Sequence, residues 1–536
     1  MTLSDNDLQQ INEDWLRERT KKELLYLSHT LLVDLKEARE RINQNSANSS
    51  VPSGSESPWF HPANDTDSEE DDDTPIPPPP DETENNKTQA SPEQDSQDNS
   101  DSHNSKETSE SKNSSEEQRK PGKQLGAQGF GRTQKLPITG VEHHYACHCA
   151  GCGQELTGDT PKRAYTGFYT IDIEYGEPDK PGIRISNIKH LYYDSSCDCG
   201  HTTRLAPHRE PPEELFEGIE LTEWRLVGPA LMSLIIFLNM RMRMSRPRIQ
   251  EFLLLWLNIE LSTGTINQCI HEGGRAVDPI ENQMVKELLD SKLLHADETT
   301  WLIAGKPFWL WVFASSTVTL YYITLRSNEL VRNLLGEYKG WLMSDGYKVY
   351  REIHKRLRCW AHLLRKAKGI AESLNLEAGT FGKKAQELLK TLMDAVYQAR
   401  EGPPEENLEE KYQILLVDFK AECERIKGES KHKKARALAV EFLNDWEAIF
   451  MVLRHPHMPL TNNEAEHALR HWVIMRKITY GTQTEVGTRV FAVLASVIDT
   501  CRKRDVSPWR YLEKVIRERR AGRSAPALPA AQVEGG

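Results

Sequence analysis

The sequence predicts a multidomain α+β protein: an N-terminal helix, a small cysteine-bearing β module, a helical region, and an α/β core carrying an all-helical insertion. Three observations predict it. Leucines recur at helical spacing near the N-terminus, and two close cysteine pairs flank β-type segments between 147 and 201. After residue 290 three successive strand-like segments appear before helical periodicity returns. The 536 residues suffice for two to four units, at roughly 150 residues each.

Over residues 1–48, Leu24, Leu27, Leu31, Leu35, Ala38 and Ile42 follow one another every three or four positions and line one helix face. That stripe fits a short coiled coil pairing two chains, or an amphipathic helix packed on its own chain. Residues 49–136 read as a disordered linker, too poor in apolar side chains to offset the entropy of ordering. Residues 49–120 hold 19 acidic and 5 basic side chains, more than the whole formal net charge of −12. The remainder is slightly basic, so the overall acidity does not exclude DNA, whose affinity comes from Lys and Arg on phosphates.

No segment reads as a membrane span. The longest apolar run, Leu226–Leu238, is broken by Gly228, Pro229 and Ser233 and is shorter than the roughly 20 residues a bilayer needs. The polar start is unlike a signal peptide, and nine cysteines, five of them crowded between 147 and 199, are unlike an extracellular disulfide framework. The expectation is a cytoplasmic protein.

The cysteine module is expected over 137–208, with strand-like segments at 168–174 and 183–193. Cys149, Cys152, Cys197 and Cys199 form two knuckles whose thiolates can converge on a structural Zn²⁺. The second knuckle is C-x-C, so His143, His144, Cys147, His148 or His201 could replace one ligand. From 209 to 290 the pattern is helical, and 247–271 reads helix, turn, helix, which fits a DNA-binding element or a plain bundle. A catalytic domain is expected over 291–480, with a helical insertion at about 371–453. A C-terminal helical region at 481–522 and a disordered tail at 523–536 complete the chain.

Three carboxylates stand out. Asp297 lies inside an apolar strand, where an acid is costly unless something binds it, and its neighbour Glu298 must face the other way. Asp345 ends a later strand and is followed by Gly346. Thr461 and Glu464 have capping-box spacing, which gives Glu464 a structural task at a helix start. Glu466, about 200° around that helix, is free of it. Two Asp from a strand meander and a Glu from a late helix form the triad of ribonuclease-H-like enzymes, whose oxygens hold two Mg²⁺, with Mn²⁺ an alternative. Basic residues gather nearby, with seven Lys and Arg against Glu352 over 351–368 and a net +7 over 466–524. Beside a metal site such runs make a phosphate track; Arg358, His362, Arg365, Lys366, Asn463, Arg470, Arg476 and Lys477 are its expected DNA contacts.

Taken together the chain resembles the transposases of the insertion sequence 66 family. The resemblance runs through Gly122-Lys-Gln-Leu-Gly126, the cysteine module, His295-Ala-Asp-Glu-Thr299, Ser344-Asp-Gly-Tyr347, Cys359-Trp-Ala-His362, Asn462-Asn-Glu-Ala-Glu-His-Ala-Leu-Arg470 and Pro508-Trp-Arg-Tyr-Leu512. It implies a Mg²⁺-dependent DDE transposase of the bacterial cytoplasm that cleaves at terminal inverted repeats and joins the ends to target DNA. Asp297, Asp345 and Glu466 match its triad. It also implies a homo-oligomer on DNA and accessory proteins of the same element. A nuclease or resolvase that cuts without joining, and an inactive zinc-containing DNA-binding protein, are the alternative readings. The acidic linker, and Ala127 where a His is common, depart from the family pattern.

Overall fold

The computed structural model describes Thr20, Leu24, residues 27–32, Leu35 and residues 136–530 apart from Pro178 and residues 403–406. Leu24, residues 27–32 and Leu35 are helical. The rest of the predicted leucine stripe, the acidic linker up to residue 135 and the last six residues lie outside the described residues.

The cysteine module is built on a long antiparallel hairpin, β2 (Lys162–Glu177) and β3 (Lys180–Ser196), in register from Lys162↔Ser195 onward. Strand β1 (Gly140–His144) runs parallel to β3, and β4 (Thr202–Arg204) pairs with its far end. A small ribbon, β5 (Arg209–Glu210) with β6 (Leu221–Thr222), leads into four helices: α1 (Pro229–Met240), α2 (Arg246–Leu257), α3 (Thr263–Val277) and α4 (Ile280–Leu289).

The expected helix-turn-helix is present as α2, a turn and α3, with Ser262 capping α3 through a bond from the Thr265 N–H. Its second helix is a core element, however. Glu272 and Arg275 are 1% and 2% exposed. Glu272 pairs with Arg225 at 2.9 Å and Arg520 at 2.7 Å, and Arg275 with Glu210 at 3.0 Å. These mutually compensated charges tie the C-terminal half of α3 to the core, whereas Thr263, Gly264 and Gln268 toward its N-terminal end are exposed.

Strands β7 (Leu293–Ile303), β8 (Lys306–Ala314) and β9 (Thr319–Thr324) form the predicted antiparallel meander. After α5 (Asn328–Leu335) comes β10 (Trp341–Ser344), parallel to β7, and then β11 (Arg356–Arg358), parallel to β10. The order is β11-β10-β7-β8-β9. Strand β11 was not expected, because the segment 351–368 reads as one basic helix.

The insertion starts at α6 (Trp360–Ala371) and continues through α7 (Leu376–Glu401), α8 (Leu408–Lys411), α9 (Gln413–Glu429), α10 (Lys433–Asn444) and α11 (Trp446–Phe450). It has its own apolar core, including Trp360, Phe381, Leu389, Phe419, Phe442 and Leu460, so it spans 360–460 rather than 371–453. Its two ends meet. The Trp360 N–H donates to Leu460 O at 2.8 Å, and the Asn462 N–H points at Cys359 Sγ at 3.3 Å. An insertion whose ends touch leaves the parent fold intact.

The chain returns in α12 (Asn463–Thr479), α13 (Glu485–Lys503) and α14 (Pro508–Arg520). Two hydroxyls of α13 serve the edge strand β9, Thr500 Oγ1 accepting from the Thr319 N–H at 3.0 Å and Ser496 Oγ from the Tyr321 N–H at 2.9 Å. They satisfy donors that an edge strand otherwise leaves unpaired. Helix α13 therefore belongs with the sheet, and the boundary expected at 480 does not separate it. A single apolar core runs from Ile171 in the cysteine module to Leu528. The tail is ordered up to Ala530: Leu528 is 5% exposed, and Tyr511 Oη donates to Pro526 O at 2.7 Å. That corrects the expectation of disorder from 523.

Candidate active site

Strand pairing sets which way each acid faces. Asp297 lies opposite Val312, and Val312 opposite Tyr321, so the three side chains share one face of the sheet. Tyr321 Oη donates to Ala468 O at 2.9 Å and to Asp499 at 2.8 Å, so this face looks toward α12 and α13. Glu298 takes the other face, as predicted, where Arg326 meets it at 2.6 Å and Tyr350 Oη donates at 2.8 Å. Burial, with Asp345 nearby, pushes the Glu298 carboxyl up to about 7.

Asp345 is set beside Asp297 by the parallel pairing of β10 with β7. Ser344 is the partner of Ala296, and each aspartate is the next residue on. Its Oδ1 accepts the Tyr347 N–H at 2.9 Å, closing a turn that holds the carboxylate at the strand end. Gly346 is needed there because a Cβ would lie 2.7 Å from both Arg358 Nη2 and Glu441 Oε1.

The predicted capping box does not form. Asn462 is the N-cap and makes no side-chain cap bond. Its amide instead crosses to β7, Oδ1 lying 3.1 Å from His295 Nδ1 and Nδ2 donating to Ala296 O at 2.8 Å. Asn462 is fully buried and pins the start of α12 to the residue before Asp297. Glu464, on the open side of the helix, pairs with Lys503 at 3.5 Å. Glu466 points inward: its Oε1 is 3.7 Å from His362 Nδ1 and 3.5 Å from Arg365. Among the described residues neither that Oε1 nor His362 Nδ1 has a hydrogen-bond partner, although both are buried. Burial, with Arg365 adding repulsion, drops the His362 imidazole to about 4.

The three expected acids thus converge around the middle of β7, the end of β10 and the first turn of α12. Burial first, then the charges of Asp345, Glu298 and Glu466, hold the Asp297 carboxyl well above the usual aspartate range. Arg365 offsets Glu466 and Arg326 offsets Glu298, but like charges gathered around Asp297 and Asp345 are what a cation stabilises. The orphaned, buried Glu466 Oε1 fits the same reading, so this donor set suits hard divalent ions.

The expected DNA contacts divide. Asn463, Arg470 and Lys477 are exposed on α12, and Arg365 and His362 are partly buried beside Glu466. Arg476 donates to Thr299 Oγ1 at 3.0 Å and Thr300 Oγ1 at 2.7 Å, joining α12 to β7. Lys366 pairs with Glu441 at 2.9 Å. Arg358 is 1% exposed and engages Glu441 and Asp445. Its charge is consumed inside the protein, which corrects its assignment to DNA. Asn462 and His295 were given no role in the sequence reading, although both fall within motifs it singled out, His295–Thr299 and Asn462–Arg470.

In the module, the sulfurs of Cys149, Cys152, Cys197 and Cys199 all lie within 4.8 Å of one another. Cys149 Sγ is 3.7 Å from Cys199 Sγ and Cys152 Sγ is 3.6 Å from Cys197 Sγ. Tetrahedral zinc with Zn–S near 2.3 Å requires sulfurs about 3.8 Å apart. The Cys152 backbone N–H, directed at its sulfur, draws the Cys149 thiol down to about 6, toward the thiolate a metal needs. None of the candidate substitutes enters the quartet. His143 Nδ1 meets Tyr193 Oη at 2.7 Å, and His144 Nε2 lies 3.0 Å from His190 Nδ1.

The chain is similar to two proteins of Sinorhizobium fredii, uncharacterized protein y4qI and uncharacterized protein y4hP. It is 25% identical to the first over 53% of its own length and 24% identical to the second over 54%. The matches span 57% and 59% of those relatives' lengths. A family model described as "Transposase IS66 family" matches residues 225–490, a region that contains both aspartates, the insertion and Glu466. Through that region the chain belongs to the IS66 family of transposases.

Proposed function

We propose that the protein is a DNA transposase that cleaves at element ends and transfers strands into target DNA. The observation carrying this reading is the convergence of Asp297, Asp345 and Glu466, where burial and the acidic neighbours raise the Asp297 carboxyl well above the usual aspartate range. The three carboxylates would hold two divalent ions, Mg²⁺ or Mn²⁺. When bound, these supply the Lewis acidity for an in-line displacement at phosphorus.

The chain's own residues do the positioning. Asn462 fixes Glu466 against β7, and the Asp345 turn fixes the second aspartate beside the first. Exposed Asn463, Arg470 and Lys477, with Arg365 and His362 beside Glu466, are the groups proposed to receive the DNA backbone. The Cys149, Cys152, Cys197 and Cys199 quartet is proposed to hold a structural Zn²⁺. Pairing of chains on DNA and help from accessory proteins of the element belong to the same proposal.

The test is a strand-transfer assay with Mg²⁺ on DNA carrying the element's ends. Asp297→Asn, Asp345→Asn and Glu466→Gln are each expected to abolish both cleavage and joining while DNA binding persists. Cleavage without joining by the wild-type chain would identify a nuclease or resolvase instead. Full activity in Glu466→Gln would remove that residue from the triad.

A further inference from the structure

A second group of metal-ligand side chains lies in the cysteine module, away from both the sulfur quartet and the acidic triad. Glu142, His144 and His190 offer one carboxylate oxygen and two imidazole nitrogens, all within 4.8 Å of one another. We propose that these three residues form a transition-metal site of the two-histidine, one-carboxylate type, taking Zn²⁺ or a similar borderline ion.

Strand register builds the site. Glu142 on β1 is the direct partner of His190 on β3, and His144 is the partner of Tyr192. Residues two apart on a strand share a face, so both β1 ligands project to the same side as His190. His144 Nε2 lies 3.0 Å from His190 Nδ1, and Glu142 Oε2 lies 3.3 Å from His190 Nδ1 and 3.9 Å from His144 Nε2. Ligand nitrogens and oxygens about 2.1 Å from one ion are separated by roughly 3.0 to 3.4 Å. The two spacings to His190 Nδ1 already meet that, and only the exposed Glu142 rotamer must adjust.

Both rings are clamped in place. His144 stacks on Tyr192 with centroids 4.4 Å apart, and His190 stacks on Phe168 at 4.8 Å. Phe168 is in turn the β2 partner of His190, so the platform is part of the sheet. Two ring nitrogens held at 3.0 Å can share one proton, or direct both lone pairs at one cation. A carboxylate on the same spot favours the cation. The ligands open into a cleft of about 690 Å³ shared with Glu223 and the α14 residues Arg510 and Glu513, which leaves room for water or a further ligand. Imidazole and carboxylate donors suit zinc, cobalt or nickel better than magnesium.

The experiment uses the full chain with its cysteine site loaded with Zn²⁺. It carries Asp297→Asn and Asp345→Asn, so that the acidic triad does not contribute. Titrated with Co²⁺ alone, this protein should bind one equivalent, seen as visible d–d absorption without a thiolate charge-transfer band. Adding His144→Ala or His190→Ala should abolish that equivalent. Glu142→Gln, at an exposed position that threatens no core contact, should weaken it at least about tenfold, since even outer-shell partners of a metal are worth that much. The same ion should raise the Tm of the parent and not of the histidine variants. Absence of Co²⁺ binding in the parent would show a proton-sharing histidine pair only. Binding that survives the double histidine change would place the metal elsewhere. Either result overturns the proposal.

Discussion

Two groups of acids in this fold are opposites. Around the middle of β7 and the end of β10, Asp297, Asp345 and Glu466 gather with Glu298 close by, and the Asp297 carboxyl is pushed up by burial and by its neighbours. Where the insertion meets β11, Asp445 is fully buried among Arg356 at 2.7 Å, Arg351 at 3.0 Å and Arg358 at 3.3 Å. Burial pushes the Asp445 carboxyl up, but the Arg356 bond and charge, with Arg358 and Arg351, hold it below its ordinary value. Asp445 is surrounded by arginines, whereas in the other cluster the arginines meet Glu466 and Glu298 and the two aspartates gather with one another. That difference, rather than burial, separates a structural acid from a candidate metal ligand.

The largest effect expected from breaking this contrast is catalytic. Asp297→Asn should lower strand transfer by at least about 10³-fold, a barrier increase of over 4 kcal/mol. It should nevertheless raise the Tm of the metal-free protein, because it removes one of several repelling charges. A fall in Tm would mean that Asp297 has a stabilising partner in the metal-free state. Asp445→Asn should do the reverse. Stranding Arg356 and Arg358 without their carboxylate is expected to cost about 3–5 kcal/mol, measured by denaturant unfolding. An unchanged midpoint would show that Glu441 alone neutralises the arginines.

The same residue gives a smaller, pH-dependent effect with a definite sign. A carboxyl whose folded value is depressed adds stability above its unfolded value and loses it as pH falls through the folded value. For Asp445 that window lies below its ordinary 3.8. Wild-type protein should therefore carry an acid-unfolding component below about pH 4 that Asp445→Asn lacks. Parallel acid-unfolding curves for the two proteins would remove Asp445 from the account.

What the sequence conveyed, and what it hid, follows from the range of the interactions. The meander was legible because β-branched and aromatic residues alternate between short turns, and alternation alone placed Asp297 and Glu298 on opposite faces. The quartet of cysteines was legible from spacing. Strand β11 was not, because Arg356 and Arg358 read as surface charge until Asp445, some 90 residues later, is folded against them. The same distance explains Arg358, read as a DNA contact and found in a buried ion pair. The role of Asn462 was hidden because its partners, His295 and Ala296, lie 167 and 166 residues upstream. The burial of the C-terminal half of α3 was hidden for a similar reason, since the arginines that pair with Glu272 come from positions 225 and 520.

The smallest expected effect tests the choice between two neighbouring glutamates. Glu464 and Glu466 share the first turn of α12, and both carboxylates would favour a helix N-terminus. Only Glu466 faces the aspartates; Glu464 meets Lys503 at 3.5 Å with its side chain 46% exposed. A pair so open to solvent is worth about 0–1 kcal/mol. Lys503 keeps a second acceptor in Ser315 O at 2.6 Å, so losing Glu464 does not leave its ammonium bare. Glu464→Gln should therefore shift the unfolding midpoint by at most about 1 kcal/mol and leave strand transfer within about twofold of wild type, under 0.5 kcal/mol of barrier. A large loss of activity in Glu464→Gln with full folding would instead place the third acid of the triad one helical position pair earlier. It would then require α12 to rotate on Asn462 when DNA binds.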